Sequence, residues 1–403
     1  MRKMIIVVLI LAVIFFATSF EEIIRGRTEI ETLYPITLAG IDNNQNGDTE
    51  YLISTVSPTT EEDAVKPNNI MTVAGKTGFD ANRNIGMYAE NDLYWGYAKY
   101  ILIGEEASKE SVFKYLDFFM RDNEPRMTLT PLIVKGMSSR ELIGLLYEQN
   151  IDISNTVDNI IDNYAILSYA FEMPFVEFID LMSDKKNGYL PCFELEDERL
   201  DIRIEHGGQE PEEGETLEGE HAKILRSVGY AIIKDDKVID YILFEQGRGL
   251  NWIIDEIVSG TIVVEHEGVK YNLEIIEGGS KIVPKIKDEK LKAEIKVNVD
   301  NILTEISKQD IAIDDELMKT LERKSSEIVK KEVMEVIDLV QKHEIDIIGI
   351  GDKFYHRYPV KWEKKYKEKW EDIFPKLDIE VTVDSTIERS ARFYESILSG
   401  EVK

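Results

Sequence analysis

The chain has 403 residues, of which 43% are hydrophobic and 31% are charged, a composition typical of a folded protein with about two or three domains. Its 77 acidic residues outnumber its 48 lysines and arginines, and the formal net charge is −29. Such a surface repels phosphate backbones, which argues against a nucleic-acid partner. The single cysteine, Cys192, excludes an internal disulfide and a Cys-based zinc site, and we expect it to be a buried structural thiol.

The beginning of the chain has the pattern of an export signal. A basic pair precedes an uninterrupted apolar run at 4–16, and small residues follow it before two glutamates. The small residues suit cleavage before Phe20. Alternatively, residues 4–20 stay attached as a helix of about 25 Å, the short limit for spanning a bilayer, and the bulk of the chain is exported. We predict that residues 1–20 are a signal peptide or a membrane anchor.

The first half of the exported part mixes strand and helix patterns. Alternating residues at 35–56 predict a hairpin around a turn at 46–47. Apolar residues at helical spacing predict helical structure over 75–125. Ser138 and Glu141 have the spacing of a capping box and predict the start of an amphipathic helix.

The middle of the chain is predicted to be rich in strands. The acidic, glycine-rich stretch 207–220 offers nothing to bury, so we expect a loop or linker there. Two hairpins follow, with turns at 235–236 and at 267–268. A short helical piece at 249–257 lies between them.

The last third has the pattern of a sheet with one long helix. Strict alternation of apolar and polar residues at 291–299 and at 377–383 predicts two half-buried strands. Between them, residues 314–343 carry an apolar stripe at helical spacing, which predicts a helix of about 45 Å. This part is therefore predicted to be α+β.

Short motifs that suggest chemistry each lack a residue that the chemistry requires. The run that begins at Asp42 resembles a calcium loop but has Ile53 where a bidentate glutamate is needed, so a plain hairpin turn is favoured. Residues 75–77 lack the earlier glycine of a phosphate loop. His266 and His343 begin zinc-peptidase patterns without the second histidine. We therefore predict no catalytic residues, no metal site and no cofactor.

The segment 354–375 concentrates aromatic and basic residues in an otherwise acidic chain, including two of the four tryptophans. One interpretation, which we favour, is a helix at 362–373 that covers a sheet with its aromatic face. The other is a contact patch for a partner protein or for anionic headgroups. The residues of this candidate contact patch are Tyr358, Lys361, Trp362 and Trp370.

This segment resembles the C-terminal signature of the Ger(x)C family, the C subunits of GerA-type spore germinant receptors. Five other stretches resemble the N-terminal and middle domains of that family, and they occur in the right order over nearly the whole chain. The C-terminal resemblance rests on residues 346–351, 358–362, Trp370 and 374–375, and the other stretches are 78–84, 103–107, 117–122, 229–234 and 249–252.

The resemblance implies an α+β fold with three mixed sheet/helix domains behind the N-terminal apolar signal or anchor helix. Residues 21–190 would form an N-terminal α+β domain, 191–285 a small sheet-rich middle domain, and 286–403 a C-terminal α+β domain with one long helix. Members usually carry a lipobox cysteine, which this chain lacks, so an uncleaved helix is favoured over a lipid anchor.

The resemblance also implies a non-enzymatic subunit of a nutrient germinant receptor, required for spore germination. It would lie on the outer face of the inner spore membrane and work with a polytopic A subunit and a transporter-like B subunit. An alternative is an exported small-ligand-binding protein that captures the germinant directly, which requires an apolar pocket with a few polar groups. A third hypothesis, a secreted hydrolase, requires a histidine or a carboxylate pair with a shifted pKa in a cleft.

Overall fold

The structure is a computed structural model, and it describes residues 33–44, 50–59, 66–89, 91–183, 187–199, 221–308 and 311–388. The predicted signal or anchor at 1–20, the turn at 46–47 and the stretch 207–220 lie outside these residues. No helix in the described part is both long enough and apolar enough to cross a membrane.

An eight-stranded mixed sheet organises the first part of the chain. The strands of this part are β1 (Leu33–Pro35), β2 (Leu38–Asn43), β3 (Tyr51–Pro58), β4 (Asn68–Gly75), β5 (Asp92–Tyr94), β6 (Tyr100–Ile103), β7 (Thr130–Lys135), β8 (Gly188–Arg199), β9 (His221–Lys234) and β10 (Lys237–Leu243). The order in the sheet is β10-β9-β8-β7-β6-β2-β3-β4, while β1 and β5 form a separate parallel pair. Strands β2, β6, β7 and β8 run parallel, and antiparallel strands close both edges. The predicted first hairpin is confirmed by the pairing of β2 with β3.

Helices pack against this sheet. Capping side chains determine where several of them begin. The helices are α1 (Gly78–Ile85), α2 (Glu105–Glu110), α3 (Val112–Arg121), α4 (Ser139–Glu148), α5 (Ile153–Asp162), α6 (Tyr164–Leu167), α7 (Phe175–Met182) and α8 (Glu245–Ile254). The hydroxyl of Ser138 accepts a hydrogen bond of 3.1 Å from the backbone N–H of Glu141 and caps α4, so the predicted start of this helix is confirmed. Asp152 caps α5 in the same way.

The prediction of helix over 75–125 is wrong for its middle. Helices α1 and α3 occupy the two ends, but β5, a 3₁₀ turn at Trp95–Tyr97 and the buried strand β6 lie between them. All four residues of β6 are buried. A short strand that is buried on both faces is a continuous apolar run, which periodicity alone cannot distinguish from a buried helix.

The Asp42 carboxylate forms structural hydrogen bonds, as expected for a residue outside a calcium site. It lies in β2, is only 4% exposed, and its carboxylate accepts hydrogen bonds from the backbone N–H groups of Ser139 and Arg140 at 2.8 and 2.9 Å. The Ser139 hydroxyl donates a third bond at 2.8 Å. Burial raises the pKa of Asp42, and these three donors oppose that rise. The carboxylate therefore fastens the start of α4 to the sheet.

A second sheet and one long helix form the rest, as the alternation predicted. Its elements are β11 (Gly260–His266), β12 (Val269–Lys287), β13 (Lys290–Ile306), α9 (Asp315–Lys342) and β14 (Asp378–Glu388). The order is β11-β12-β13-β14, with β13 and β14 parallel and joined through α9. The predicted turns at 235–236 and 267–268 are confirmed, and both have the positive φ values that tight hairpins require.

The strand pairing crosses both of the predicted domain boundaries. The boundary between 190 and 191 falls inside β8, and the boundary between 285 and 286 falls inside β12. The hairpin of β9 and β10 belongs to the first sheet because β9 pairs with β8 along its length. The acidic stretch 207–220 thus connects two strands of one sheet. The division into three domains stays a prediction.

Candidate functional site

The segment 354–375 is helical, but its tryptophans face inward. The elements here are α10 (Ile350–Arg357), α11 (Pro359–Lys361), a π turn at Trp362–Tyr366, a 3₁₀ turn at Lys367–Lys369, α12 (Trp370–Ile373) and a 3₁₀ turn at Phe374–Lys376. Trp362 and Trp370 are only 6% and 4% exposed, and their ring centroids lie 4.9 Å apart. The indole N–H of Trp370 donates a hydrogen bond of 2.9 Å to Asp346.

The candidate contact patch is therefore divided by burial. The two tryptophans pack inside the protein, whereas Lys361 is exposed and Tyr358 is partly exposed. The Lys361 ammonium lies 6.0 Å from the centre of the Tyr358 ring, and Val360 between them is 66% exposed. Of the four patch residues, Tyr358 and Lys361 reach the surface. Contact with a partner through these two residues stays a prediction.

A junction of buried polar groups joins the two sheets. Arg248 on α8 and Glu332 on α9 are 3% and 5% exposed and form a two-point ion pair, with N–O distances of 3.0 and 2.5 Å. The third arm of the guanidinium donates to the carbonyl of Thr261 on β11 at 2.8 Å. The indole N–H of Trp252 also donates to Glu332, at 3.3 Å. The charges are thus neutralised where water is absent.

The junction continues to the first sheet through hydrogen bonds. The Tyr230 hydroxyl on β9 donates to Asn251 at 2.6 Å, and the Asn251 amide donates to the carbonyl of Ser168 at 2.7 Å. The Ser168 hydroxyl donates to the carbonyl of Ser259 at 2.6 Å. A second tie joins His343, just after α9, to Asp240 on β10 at 2.7 Å. Strands of both sheets are therefore linked through α8 and α9.

The sequence contains a local signal for this junction. Glycines flank the arginine at 247 and 249, and each lies where a side chain has no room. A Cβ at Gly247 would lie 2.2 Å from the carbonyl oxygen of Tyr169, and one at Gly249 would lie 2.4 Å from that of Glu332. A charged residue between two glycines at the start of a helix indicates close packing against other backbones.

A set of exposed apolar side chains lies on another part of the surface. We call Phe79, Met87, Tyr88 and Tyr97 the α1 surface; they are 50%, 70%, 72% and 57% exposed. They belong to α1, to the turn after it and to the 3₁₀ turn that follows β5. These elements meet around the buried ring of Trp95, whose indole N–H donates to Asn82 at 2.9 Å.

The side chains that could take part in catalysis are either buried in the core or exposed to solvent. Cys192 is buried, and burial raises the pKa of its thiol far above the ordinary range. Glu177 and Glu256 line a cavity of about 660 Å³, where burial and then the charge of Glu177 raise the pKa of Glu256. Both carboxylates are exposed, so the pair lacks the dry surroundings of an acid–base site. No cluster of metal-ligating side chains occurs within the described ranges.

Comparison with known proteins gives a consistent result. The family model "Spore germination protein N-terminal domain" matches residues 26–195, and the model "Spore germination B3/GerAC like, C-terminal" matches residues 228–391. Spore germination protein KC of Bacillus subtilis (strain 168) is 22% identical over 383 residues, which are 90% of this chain and 91% of that protein. Spore germination protein YndF of the same organism is 23% identical over 75% of this chain and 70% of that protein.

A solved structure has the same fold. The crystal structure of the GerBC protein superimposes with a TM-score of 0.53 and 17% identity, over 87% of this chain and 97% of that chain. This likeness confirms a mixed α+β fold with several sheets and helices. Since the two family models together account for most of the sequence in the order in which the two sheets occur, the chain belongs to the Ger(x)C family of spore germination proteins.

Proposed function

We propose that this chain is a non-enzymatic subunit of a nutrient germinant receptor and is needed for spore germination. The observation that carries the proposal is the match to spore germination protein KC over nine-tenths of both chains. The structural use of Cys192, His343 and Asp42 supports a role in assembly or signalling, since Cys192 is buried and the side chains of His343 and Asp42 form hydrogen bonds within the protein.

Deletion of the gene tests this role. Spores without the protein are expected to lose their response to particular nutrients, while growth stays normal and a wild-type copy restores the response. The role is wrong if mutant spores respond normally to every nutrient tried and no duplicate gene compensates.

We further propose that A and B membrane subunits are its partners and that the exposed part of the candidate contact patch binds them. Lys361 and Tyr358 are the patch residues that reach the surface. Lys361→Glu should weaken co-purification with the A and B subunits, because it reverses the charge of an exposed contact and leaves the partly buried Tyr358 ring packed against the core. Lys319→Glu, at an exposed position of α9, makes the same change of charge elsewhere and should have no effect. Equal co-purification of both variants would argue against the patch.

We place the protein on the outer face of the inner spore membrane, held by its N-terminal segment. The pattern of residues 1–20 supports this location. Intact mass of the membrane-extracted chain would distinguish the uncleaved helix from a cleaved or a lipidated form, and the uncleaved mass is expected. Recovery of a chain that begins at Phe20 would contradict the anchor.

The α1 surface is proposed to lie at the headgroup layer of that membrane. Residues 21–32 separate the apolar segment from β1 and span at most about 40 Å. Strand β1 pairs with β5, and Tyr94 at the end of β5 lies 5.4 Å from the ring of Tyr97. Aromatic side chains with a polar edge suit the boundary between water and lipid.

Spin labels can test this orientation in full-length protein in lipid nanodiscs. A nitroxide at Tyr88→Cys should be more accessible to oxygen than to a water-soluble nickel complex, and one at Val263→Cys should show the reverse. Val263 is a matched control because it is also exposed, at 54%, but lies on the second sheet. Water-like accessibility at both positions would refute contact with the headgroups. Cys192 does not interfere, since it is buried.

A further inference from the structure

A cavity lies between the first sheet and two of its covering helices. Its volume is about 330 Å³, within the range of small-molecule sites, and it is lined by residues of α5, α6 and β9. Asn159, Asn163 and Leu167 are exposed and form its rim, whereas Tyr164 and Leu225 are buried. The cavity is thus largely open to solvent, and buried side chains form its floor.

Two hydroxyl groups in the lining, those of Tyr164 and Ser227, lie close to each other without forming a hydrogen bond of good geometry. Tyr164 Oη and Ser227 Oγ are buried, and neither forms a hydrogen bond of good geometry with a residue of the described part. Tyr164 is only 8% exposed, and burial raises the pKa of its phenol, so the hydroxyl stays neutral. Buried hydroxyls nearly always have a partner, which is either protein, ordered water or a ligand. Both residues line one cavity, so a single bound group that enters between the two hydroxyls can bond to both.

The remaining lining defines the chemistry of that group. Among the described residues that line the cavity, none carries a charge, and aliphatic side chains such as Ile160, Leu167 and Leu225 contribute an apolar wall. An ion that entered would lose its hydration without meeting a counter-charge. The net charge of −29 disfavours anions in addition. An uncharged molecule with an apolar body loses no ionic hydration and is not repelled by the net charge.

We propose that this cavity is a binding site for a small uncharged molecule that has an apolar body and a hydroxyl or amide group. The apolar body contacts Ile160 and Leu225, and the polar group forms hydrogen bonds with the hydroxyls of Tyr164 and Ser227. The inference does not rest on the receptor role, because binding is measured on the purified chain.

The site adjoins the junction between the sheets. Leu167, at its rim, precedes Ser168, whose hydroxyl and carbonyl bond to Ser259 and to Asn251. Tyr169 also lines the cavity, and its ring lies 5.9 Å from the guanidinium carbon of Arg248. A ligand in the cavity therefore contacts the residues on either side of Ser168, through which the two sheets are tied.

Fluorine NMR with three matched probes tests the proposal on the full chain in nanodiscs, with empty nanodiscs as the blank. The neutral probe is 4-fluorobenzyl alcohol, and the charged probes of the same size are 4-fluorobenzoate and 4-fluorobenzylamine. The alcohol signal should broaden beyond the blank and saturate with concentration, and the charged probes should not. Absence of saturable broadening by the alcohol, or equal broadening by the charged probes, would overturn the proposal.

Variants separate this cavity from other sites on the protein. Tyr164→Phe removes one hydroxyl and should weaken binding about 3- to 10-fold with little loss of stability, since the lost group forms no hydrogen bond of good geometry within the protein. Tyr115→Phe removes a buried phenol on α3, where it donates to Glu110 away from the cavity, and should leave binding unchanged. Asn159→Trp should block the rim and abolish binding, whereas Asp162→Trp, exposed on the same helix, should not. Wild-type binding by both Tyr164→Phe and Asn159→Trp would place the probe elsewhere and refute the site.

Discussion

The buried ion pair at the junction allows a sharp test of how the two sheets are held together. Arg248→Met keeps most of the side-chain volume but removes the guanidinium. Glu332 then keeps a buried charge whose remaining hydrogen-bond donor is the indole N–H of Trp252, at 3.3 Å. Breaking a buried pair on one side costs about 3–5 kcal/mol, because the desolvated charge is left uncompensated. We expect this loss in the free energy of unfolding.

The double variant should be less damaged than the single one. Arg248→Met combined with Glu332→Met leaves no buried charge, and what remains is an unpaired carbonyl at Thr261 and an unpaired N–H at Trp252. Leaving these two uncharged groups unpaired lowers the free energy of unfolding by about 1–3 kcal/mol. The second substitution should therefore recover about 2 kcal/mol of the first loss, a coupling that independent sites do not show.

Urea unfolding of the full chain measures these differences, provided that tryptophan fluorescence and circular dichroism give the same transition. Arg323→Met is the matched control, because Arg323 pairs with Glu327 on the same helix at 2.6 Å but both side chains are about 60% exposed. Its cost should be below about 1 kcal/mol. The reasoning is refuted if the double variant is at least as unstable as Arg248→Met, or if Arg248→Met costs no more than the control.

Three further results are expected. The Cys192 thiol should resist iodoacetamide in the native protein even at alkaline pH, because burial raises its pKa, and its labelling should follow global unfolding; rapid labelling of native protein would contradict this. Burial, and then the neighbouring charge of Glu177, raise the pKa of Glu256 above 4.5, so its contribution to stability is present below that pH and is lost as the pH rises through the raised value. Glu256→Gln should accordingly be more stable than wild type at pH 7 and equal to it at pH 4, and the same difference at both values would argue against the shift. Trp370→Phe leaves Asp346 without its indole donor and should lower the free energy of unfolding by about 1–3 kcal/mol, while the folded fraction still co-purifies with the proposed A and B subunits. Weakened co-purification at unchanged stability would return this residue to the contact patch.

Elements with a strong local pattern could be predicted from the sequence. The alternation at 291–299 and the apolar stripe at 314–343 correspond to β13 and α9, because each pattern extends over several turns or several pairs of residues. Hairpin turns could also be predicted from the sequence, since turn residues such as those at 235–236 accept positive φ. Strand β6 was not, because four buried residues are too few to show a period.

The arrangement of the strands could not be predicted in the same way. Whether the hairpin of β9 and β10 joins the first or the second sheet depends on its pairing with β8, which comes before the long acidic stretch in the sequence. That choice reflects contacts between distant residues and not a local pattern. The predicted boundary between 190 and 191 therefore falls inside β8, and the loop or linker predicted at 207–220 connects two strands of one sheet.

The candidate site shows the same limit in its side chains. The aromatic and basic segment was compatible with packing and with partner contact, and only the neighbours of Trp362 and Trp370 place both rings inside. The role of Arg248 was hidden for a different reason. Its partner Glu332 lies 84 residues away on a highly charged helix, where nothing local distinguishes it from the other glutamates around it.

The geometry of the junction limits how the two sheets can move relative to each other. A small slide of α8 along α9 would separate Arg248 from Glu332 and leave two buried charges unpaired, and the backbones at Gly247 and Gly249 are already in close contact with their neighbours. The sheets are therefore held in one arrangement, and any other arrangement must be a separately packed state. A ligand in the cavity beside Ser168 would favour one state only to the extent that its contacts with Leu167 and Tyr169 differ between the two. Leu167 and Tyr169 line the cavity on either side of Ser168, so coupling between the cavity and the packing of the two sheets would run through the segment 167–169.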